Sequence, residues 1–181
     1  MNYETEFFLK AEKERRMLDM LFKVIYKSQD YTYQHSPSEE KYTFDSSVIR
    51  FENNKLLDTH IYEAKIRDVS YDTILLERKK LIAIRKCSKS FQNGPEPVLQ
   101  YYVSTHPDGT WVFDLSKVGK RKWDLEYHNI STTQNVFGKG LKEITYLNKE
   151  DGVFYDIKTS DLKEVKIEPI KEVQKIKGFI L

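Results

Sequence analysis

The sequence predicts a mixed α/β (α+β) domain, in which helices flank a central mixed sheet. A long stretch with helical spacing comes first, and two pairs of β-rich runs follow, with a second helical stretch between the pairs. Hydrophobic residues make up 39% and aromatic residues 13% of the 181 residues, which is enough to build a packed core.

The first predicted helix covers residues 4 to about 27. Its apolar residues recur at steps of three and four, which places them on one face. Glu14 interrupts this face, because it lies between Ala11 and Leu18 at the same spacing. Residues 28–41 are polar and contain a proline, so they predict a loop.

A hairpin and a second helix are predicted next. Residues 42–51 and 56–66 have the composition of strands, and the residues between them contain two asparagines suited to a turn. Ser70 and Asp72 are typical of a helix start, and the helix is expected to extend to about residue 86.

The later chain is predicted to be rich in strands. A loop at residues 88–97 precedes a second hairpin at residues 98–115. Further elements are expected as a strand at 123–130, a loop at 131–140, and a third hairpin formed by 141–147 and 153–158, whereas the tail from residue 159 to 181 favours neither helix nor strand. We therefore expect a core of residues 1–115 and a β-rich C-terminal extension or subdomain of residues 116–181.

One constellation in the first hairpin can carry chemistry. Glu63 and Lys65 are two residues apart on a strand and therefore point to the same face. If the turn is odd in length, such as residues 53–55, Asp45 lies opposite Glu63. Two carboxylates suit Mg²⁺, which acidifies a bound water, and an adjacent ammonium can orient that water. The carbonyl of Ala64 is a further candidate ligand.

This arrangement resembles the PD-(D/E)xK nucleases, the restriction-endonuclease-like superfamily. The resemblance rests on Asp45 followed by Glu63-x-Lys65 in the order helix, strand, hairpin, strand, helix, and it covers residues 4–115. It implies that Asp45 and Glu63 bind Mg²⁺ or Mn²⁺ and that Lys65 assists catalysis. Glu14 is the candidate for the additional acid that many members carry on the first helix. The proline that precedes the aspartate in the family is replaced by Phe44.

Other interpretations of these residues stay open. Asp156-Ile157-Lys158 repeats the acid-x-Lys pattern, with Glu143 on the preceding strand, but no long helix comes before it. The order of elements therefore favours the first site. Asp45, Glu63 and Lys65 could instead form a cross-strand ion cluster on a solvated sheet face. Apolar neighbours on both faces of the second strand argue against that interpretation.

Two basic runs without acidic residues indicate where nucleic acid could bind, because phosphate backbones bind such patches through counterion release. The alternative is that these side chains solvate a helix face. The candidate residues are Arg78, Lys79, Lys80, Arg85, Lys86 and Lys89 in the first run, and Lys117, Lys120, Arg121 and Lys122 in the second.

The sequence therefore predicts a metal-dependent nuclease that acts on nucleic acid, with DNA as the expected substrate and a homodimer as a possible assembly. The alternative is a non-catalytic nucleic-acid- or protein-binding module on a nuclease-like scaffold. Cys87 is the only cysteine, and no apolar run approaches the ~20 residues needed to cross a bilayer. With no secretion signal in the first residues, a cytoplasmic location without a membrane partner is expected.

Overall fold

The computed structural model describes residues 3–37, 43–92, 94–118, 121–129 and 138–162. Within these residues the chain forms two α-helices and nine strands. The helices are α1 (Tyr3–Ile25) and α2 (Arg78–Phe91), and the strands are β1 (Asp30–His35), β2 (Ser46–Glu52), β3 (Lys55–Ile66), β4 (Thr73–Glu77), β5 (Val98–His106), β6 (Gly109–Asp114), β7 (Asp124–Asn129), β8 (Lys139–Asn148) and β9 (Val153–Tyr155).

The described strands form two sheets. The main sheet has the order β1-β2-β3-β5-β6-β9, in which β3 and β5 are parallel and the other neighbours antiparallel. The chain passes from β3 to β5 through β4 and α2, as parallel neighbours require a crossover. A smaller antiparallel sheet has the order β4-β8-β7. This mixed α+β architecture confirms the predicted fold class.

The main sheet is covered on both faces. α1 packs against one face through Leu18 and Phe22, which join Tyr62 of β3 in one core cluster. α2 and β4 cover the other face, where Leu81 joins Ile61 of β3 in a second cluster. Because side chains alternate along a strand, even-numbered residues of β3 face α1 and odd-numbered residues face α2. β3 is therefore buried on both sides, as its sequence predicted.

The β2–β3 hairpin turns tightly. Asn53 and Asn54 have φ angles of 51° and 61°, as expected for a two-residue type I′ turn, which asparagine tolerates. The predicted three-residue turn at residues 53–55 is therefore wrong, because Lys55 already pairs with Glu52. A bulge between Arg50 and Phe51 shifts the register by one residue. Ser46 consequently pairs with Tyr62, and Asp45 lies next to Glu63. The predicted neighbourhood of Asp45 and Glu63 is therefore correct, although the bulge and not an odd-length loop produces it.

Three sequence predictions in the first half of the chain are wrong. The polar segment 28–41 contains β1, which pairs with β2 along the sheet edge, because Tyr31 and Tyr33 alternate with polar residues at strand spacing. The predicted helix from Ser70 begins later, since Thr73–Glu77 forms β4 and pairs with β8. α2 then extends to Phe91, into the segment that was predicted to be a loop.

The later strands follow the predictions in part. The hairpin at 98–115 is present as β5 and β6, and β7 lies in the strand predicted at 123–130. The third hairpin is wrong, because β8 pairs with β4 and β7 while β9 pairs with β6. Residues 131–137 and the tail beyond residue 162 lie outside the described residues, and the boundary at residue 115 stays a prediction. In the described part of the chain, no helix is long and apolar enough to span a membrane.

Candidate active site

Asp45 lies directly before β2, where the pairing of β2 with β3 ends. Its backbone N–H donates to the Tyr62 carbonyl at 2.9 Å. Its carboxylate Oδ2 accepts a hydrogen bond of 2.6 Å from the Ala64 N–H, in place of a backbone carbonyl. The half-buried Asp45 side chain is thereby held against β3, at the level of Glu63.

Glu63 is the most deeply buried charged group of this region, with only 1% of its surface exposed. Its Oε1 lies 3.0 Å from the Lys65 ammonium and 2.8 Å from the Lys80 ammonium. Its Oε2 is buried and has no hydrogen-bond partner among the described residues. Burying a charged oxygen without a partner is costly, and such an oxygen is suited to bind a cation.

Glu14 reaches the same place from α1. It is 7% exposed, and its Oε1 lies 3.6 Å from the Lys65 ammonium without a hydrogen-bond partner in the described structure. The Lys65 ammonium also donates a hydrogen bond of 2.8 Å to the carbonyl of Ala64. The structure thus brings Glu14, Asp45, Glu63 and Lys65 together at one end of the sheet, while their catalytic roles stay a prediction.

Burial and charge act in opposite directions on these groups. Burial raises the pKa of Glu63, and the nearby Asp45 raises it further, while Lys65 lowers it. Burial likewise raises the pKa of Asp45 against the opposing effect of Lys65. For Lys65 burial would lower the pKa, but Glu63, Glu14 and Asp45 together hold it well above its ordinary value. Lys65 is therefore a stable ammonium, and Asp45 and Glu63 bind protons more tightly than exposed carboxylates do.

Lys80 is a site residue that the sequence did not reveal as such. It was assigned only to the basic run of the second helix. Because α2 begins at Arg78 rather than near Ser70, Lys80 lies in the first helical turn and faces β3. An ammonium is unfavourable near the positive end of a helix dipole, and its contact with Glu63 offsets this effect. A correct helix start was the signal that would have found it.

The residues present fit a divalent cation in their chemistry. Glu63 and Glu14 offer buried oxygens without hydrogen-bond partners, and Asp45 and the Ala64 carbonyl add oxygen donors of the type that Mg²⁺ prefers. Across the described ranges, however, no three His, Cys, Asp or Glu side chains converge as a ready metal-binding group. The two glutamates converge on the Lys65 ammonium instead.

The structure argues against both alternative interpretations of the site, the solvated ion cluster and the second acid-x-Lys motif. Because Glu63 and Glu14 are buried, the cluster does not lie on a solvated sheet face. In the rival motif, Asp156 is exposed and contacts Lys158 of the same motif at 3.0 Å. Glu143 belongs to the smaller sheet and contacts Arg78 at 2.6 Å, so it does not join Asp156.

Most basic residues of the two runs have acidic or carbonyl partners. Lys122 lies 2.8 Å from Asp124, and Arg85 donates to the Leu115 carbonyl at 3.2 Å. Lys117 lies near Asp114, Arg121 near Asp151, and Arg78 near Glu143. The second run contains no acidic residue, but its described lysines and arginine contact acidic residues that lie outside the run. Lys120 lies outside the described residues.

Three lysines of α2 form an exposed basic face. Lys79, Lys86 and Lys89 are separated by seven and three residues, so they lie along one side of the helix. Each is exposed and has no ion pair among the described residues. This face is here called the α2 lysine face, and it points to solvent on the side of α2 opposite the buried Leu81 and Ile84.

Comparison with known proteins gives little further guidance. No protein-family model matches the chain, and no curated protein matches it significantly. Among solved structures, the chain is similar to Hjc, a Holliday junction resolvase from the archaeal hyperthermophile Archaeoglobus fulgidus, with 10% identity and a TM-score of 0.46. The similarity covers 77% of this chain and 94% of that one. A likeness of this size does not bear on function, which is inferred from the geometry of the site alone.

Proposed function

We propose that the protein is a divalent-metal-dependent nuclease that hydrolyses phosphodiester bonds, with DNA as its substrate. The observation that carries the proposal is that the buried, incompletely partnered Glu63 and Glu14 meet at the Lys65 ammonium, while Asp45 is held beside Glu63 by its hydrogen bond to Ala64. Buried carboxylates of this kind are costly to a fold, and functional sites are where such costs are retained.

Each residue has a chemical role in this proposal. Asp45 and Glu63 hold Mg²⁺ or Mn²⁺, with Glu14 and the Ala64 carbonyl as further donors. When bound, the cation supplies an acidified water and positive charge near the scissile phosphate. Lys65 orients the attacking water or offsets negative charge on the phosphate. Lys80 stabilises the ionised form of Glu63 from the α2 side.

Substrate binding is assigned to the α2 lysine face. Its three exposed ammonium groups can contact successive phosphates, and the helix start carries Lys80 into the site. Nucleic acid that binds this face would also have to reach the carboxylate cluster, which lies on the sheet side of the same helix. The Lys65 side chain is 30% exposed, so the site lies close to the protein surface.

A cleavage assay tests the proposal. Labelled single- and double-stranded DNA and RNA are incubated with Mg²⁺, Mn²⁺ or EDTA and the wild type, Glu63→Gln or Lys65→Ala. The matched control is Glu77→Gln, because Glu77 also contacts a lysine, Lys142 at 2.7 Å, but lies in the smaller sheet. Circular dichroism establishes that each variant is folded.

The expected result is metal-dependent cutting of DNA that both site variants lose and that Glu77→Gln retains. Loss of a group that acts only in the transition state lowers the rate by about 10²-fold or more. A folded wild type that neither binds Mn²⁺ nor cuts any of the four substrates would refute the proposal. That outcome would favour a non-catalytic binding module on the same scaffold.

A further inference from the structure

We infer that Lys65 is the resident cation of the site, which a divalent metal ion displaces when it binds. In the metal-free protein the Lys65 ammonium fills the position between Glu63, Glu14 and the Ala64 carbonyl. Lys80 is then the fixed partner that keeps Glu63 ionised after Lys65 has moved. This inference rests on the proposed function and specifies how its site is regulated.

The contacts of Lys65 carry the inference. Its ammonium lies 3.0 Å from Glu63 Oε1, 3.6 Å from Glu14 Oε1 and 2.8 Å from the Ala64 oxygen. These three oxygens come from α1 and β3, and all three belong to the donor set that suits a divalent cation. Since Mg²⁺ binds oxygens at about 2.0–2.1 Å, it cannot share them with an ammonium group at the centre.

Lys80 has a different environment. Its ammonium lies 2.8 Å from Glu63 Oε1, and this is its only ion pair within the described ranges. It approaches from α2, whereas Glu14 approaches from α1. A cation placed between Glu14 and Glu63 therefore leaves the Lys80 contact intact. The two lysines thus form a natural pair of test positions, because each contributes one charge next to the same carboxylate oxygen.

The Lys65 ammonium can move into solvent when a metal ion displaces it. The Lys65 side chain is 30% exposed, and its four-carbon stem rotates freely, so the charged end can move into solvent. There it would lie at the mouth of the cluster, where a phosphate of the substrate would pass. Metal binding would thereby release the ammonium that assists the reaction, and the metal-free protein would keep it sequestered.

Mn²⁺ binding by the full chain tests the inference. Isothermal titration compares the wild type with Lys65→Met and Lys80→Met, which each remove one positive charge beside Glu63. If the ammonium fills the site about nine-tenths of the time, its removal tightens binding roughly tenfold. We expect Lys65→Met to bind Mn²⁺ about tenfold more tightly than the wild type does, and clearly more tightly than Lys80→Met.

Thermal unfolding gives a second readout that does not depend on activity. Without metal, Lys65→Met should unfold at a lower temperature than the wild type, because Glu63 and Glu14 lose a common partner. Saturating Mn²⁺ should raise the Tm of Lys65→Met by more than it raises that of the wild type. If the Met variant does not fold, Lys65→Gln keeps a polar side chain and is measured in its place.

The outcomes separate the inference from the proposed function. If the wild type binds Mn²⁺ and Lys65→Met binds it no more tightly than Lys80→Met does, the displacement by metal is refuted while the nuclease proposal stands. If neither the wild type nor any variant binds Mn²⁺, both fail together. Tighter binding by Lys65→Met with an enlarged Tm response supports the exchange of ammonium for metal.

Discussion

Asp45 makes a structural contact and has a proposed chemical role, and two substitutions can separate the two. Its Oδ2 accepts the hydrogen bond of the Ala64 N–H at 2.6 Å, and Ala64 is fully buried. Asp45→Ala removes the acceptor and leaves that N–H without a partner. Asp45→Asn keeps an oxygen at the same position and removes only the negative charge. We therefore expect Asp45→Ala to lose both stability and activity, and Asp45→Asn to lose activity alone.

The magnitude follows from the contact. A hydrogen bond to a charged group contributes about 1.5–3 kcal/mol, and the half-buried position of Asp45 favours the lower end of that range. Asp45→Ala should therefore destabilise the fold by about 1.5–2 kcal/mol. With a urea m-value of about 2 kcal/mol/M, the unfolding midpoint falls by roughly 1 M. Asp45→Asn should stay within about 0.5 kcal/mol of the wild type near pH 4, where the raised pKa keeps the Asp45 carboxyl of the folded protein largely protonated.

The pH dependence has a definite sign. Burial raises the folded-state pKa of Asp45 against the opposing effect of Lys65. Such a carboxyl contributes stability that is full below its unfolded pKa, about 3.9, and is lost as pH rises through the folded value. Asparagine has no such loss. The stability of Asp45→Asn relative to the wild type should therefore increase as pH rises from about 4 through the folded pKa of Asp45.

Urea unfolding followed by circular dichroism measures both variants, and the cleavage assay measures activity on the same samples. Asp161→Ala is the matched control, since Asp161 also accepts a backbone hydrogen bond, from the Lys158 N–H at 2.7 Å, but is exposed and does not belong to the cluster. If Asp45→Asn loses as much stability as Asp45→Ala, the side chain acts through its charge, and the capping role argued here is wrong.

Three further predictions concern the turn, a buried histidine and the substrate face. Asn54 has a φ of 61°, so Asn54→Val should cost about 1–2 kcal/mol while Asn54→Gly should be tolerated, as Tm measurements would reveal. Burial lowers the pKa of His60, although Asp58 opposes this effect. The contribution of His60 to stability is therefore lost as pH falls below about 6.5. In urea unfolding, His60→Gln should lose less stability than the wild type over that pH range. Replacing the lysines of the α2 lysine face with alanine should reduce the slope of log DNA affinity against log salt by up to about 2.7, and unchanged slopes would contradict the assignment. The three exposed control positions are Lys23, Lys27 and Lys55.

The part of the site that lies on one hairpin could be predicted from the sequence. Glu63 and Lys65 share a face because strands have a period of two, and Asp45 follows from the register of a short hairpin. Both inferences use only local geometry. The predicted neighbourhood of Asp45 and Glu63 is correct although the predicted turn length is wrong. The bulge between Arg50 and Phe51 adds one residue to β3 and thereby shifts the register by the same amount as an odd-length turn would.

Elements that depend on distant partners were harder to predict. Thr73–Glu77 is a short apolar run, and such a run fits a strand or a buried helix equally well. It becomes a strand because β8, far along the chain, pairs with it. Because residues 73–77 were assigned to the helix, the predicted start of α2 was too early. The contact of Lys80 with Glu63 could then not be predicted, since it depends on the position of Lys80 in the first helical turn. β1 was missed because its alternating tyrosines lie in a polar segment at the sheet edge.

The charges of the cluster explain why an internal ammonium and a divalent cation should be interchangeable. With Asp45, Glu63 and Glu14 ionised, the two lysines leave one negative charge uncompensated in a largely buried place. A divalent ion in the position of Lys65, with Lys80 retained, would compensate all three carboxylates. Because uncompensated charge is costly where water is scarce, the proposed exchange would stabilise the ionised cluster. The exchange also sends one ammonium towards solvent, where a phosphate group would need it.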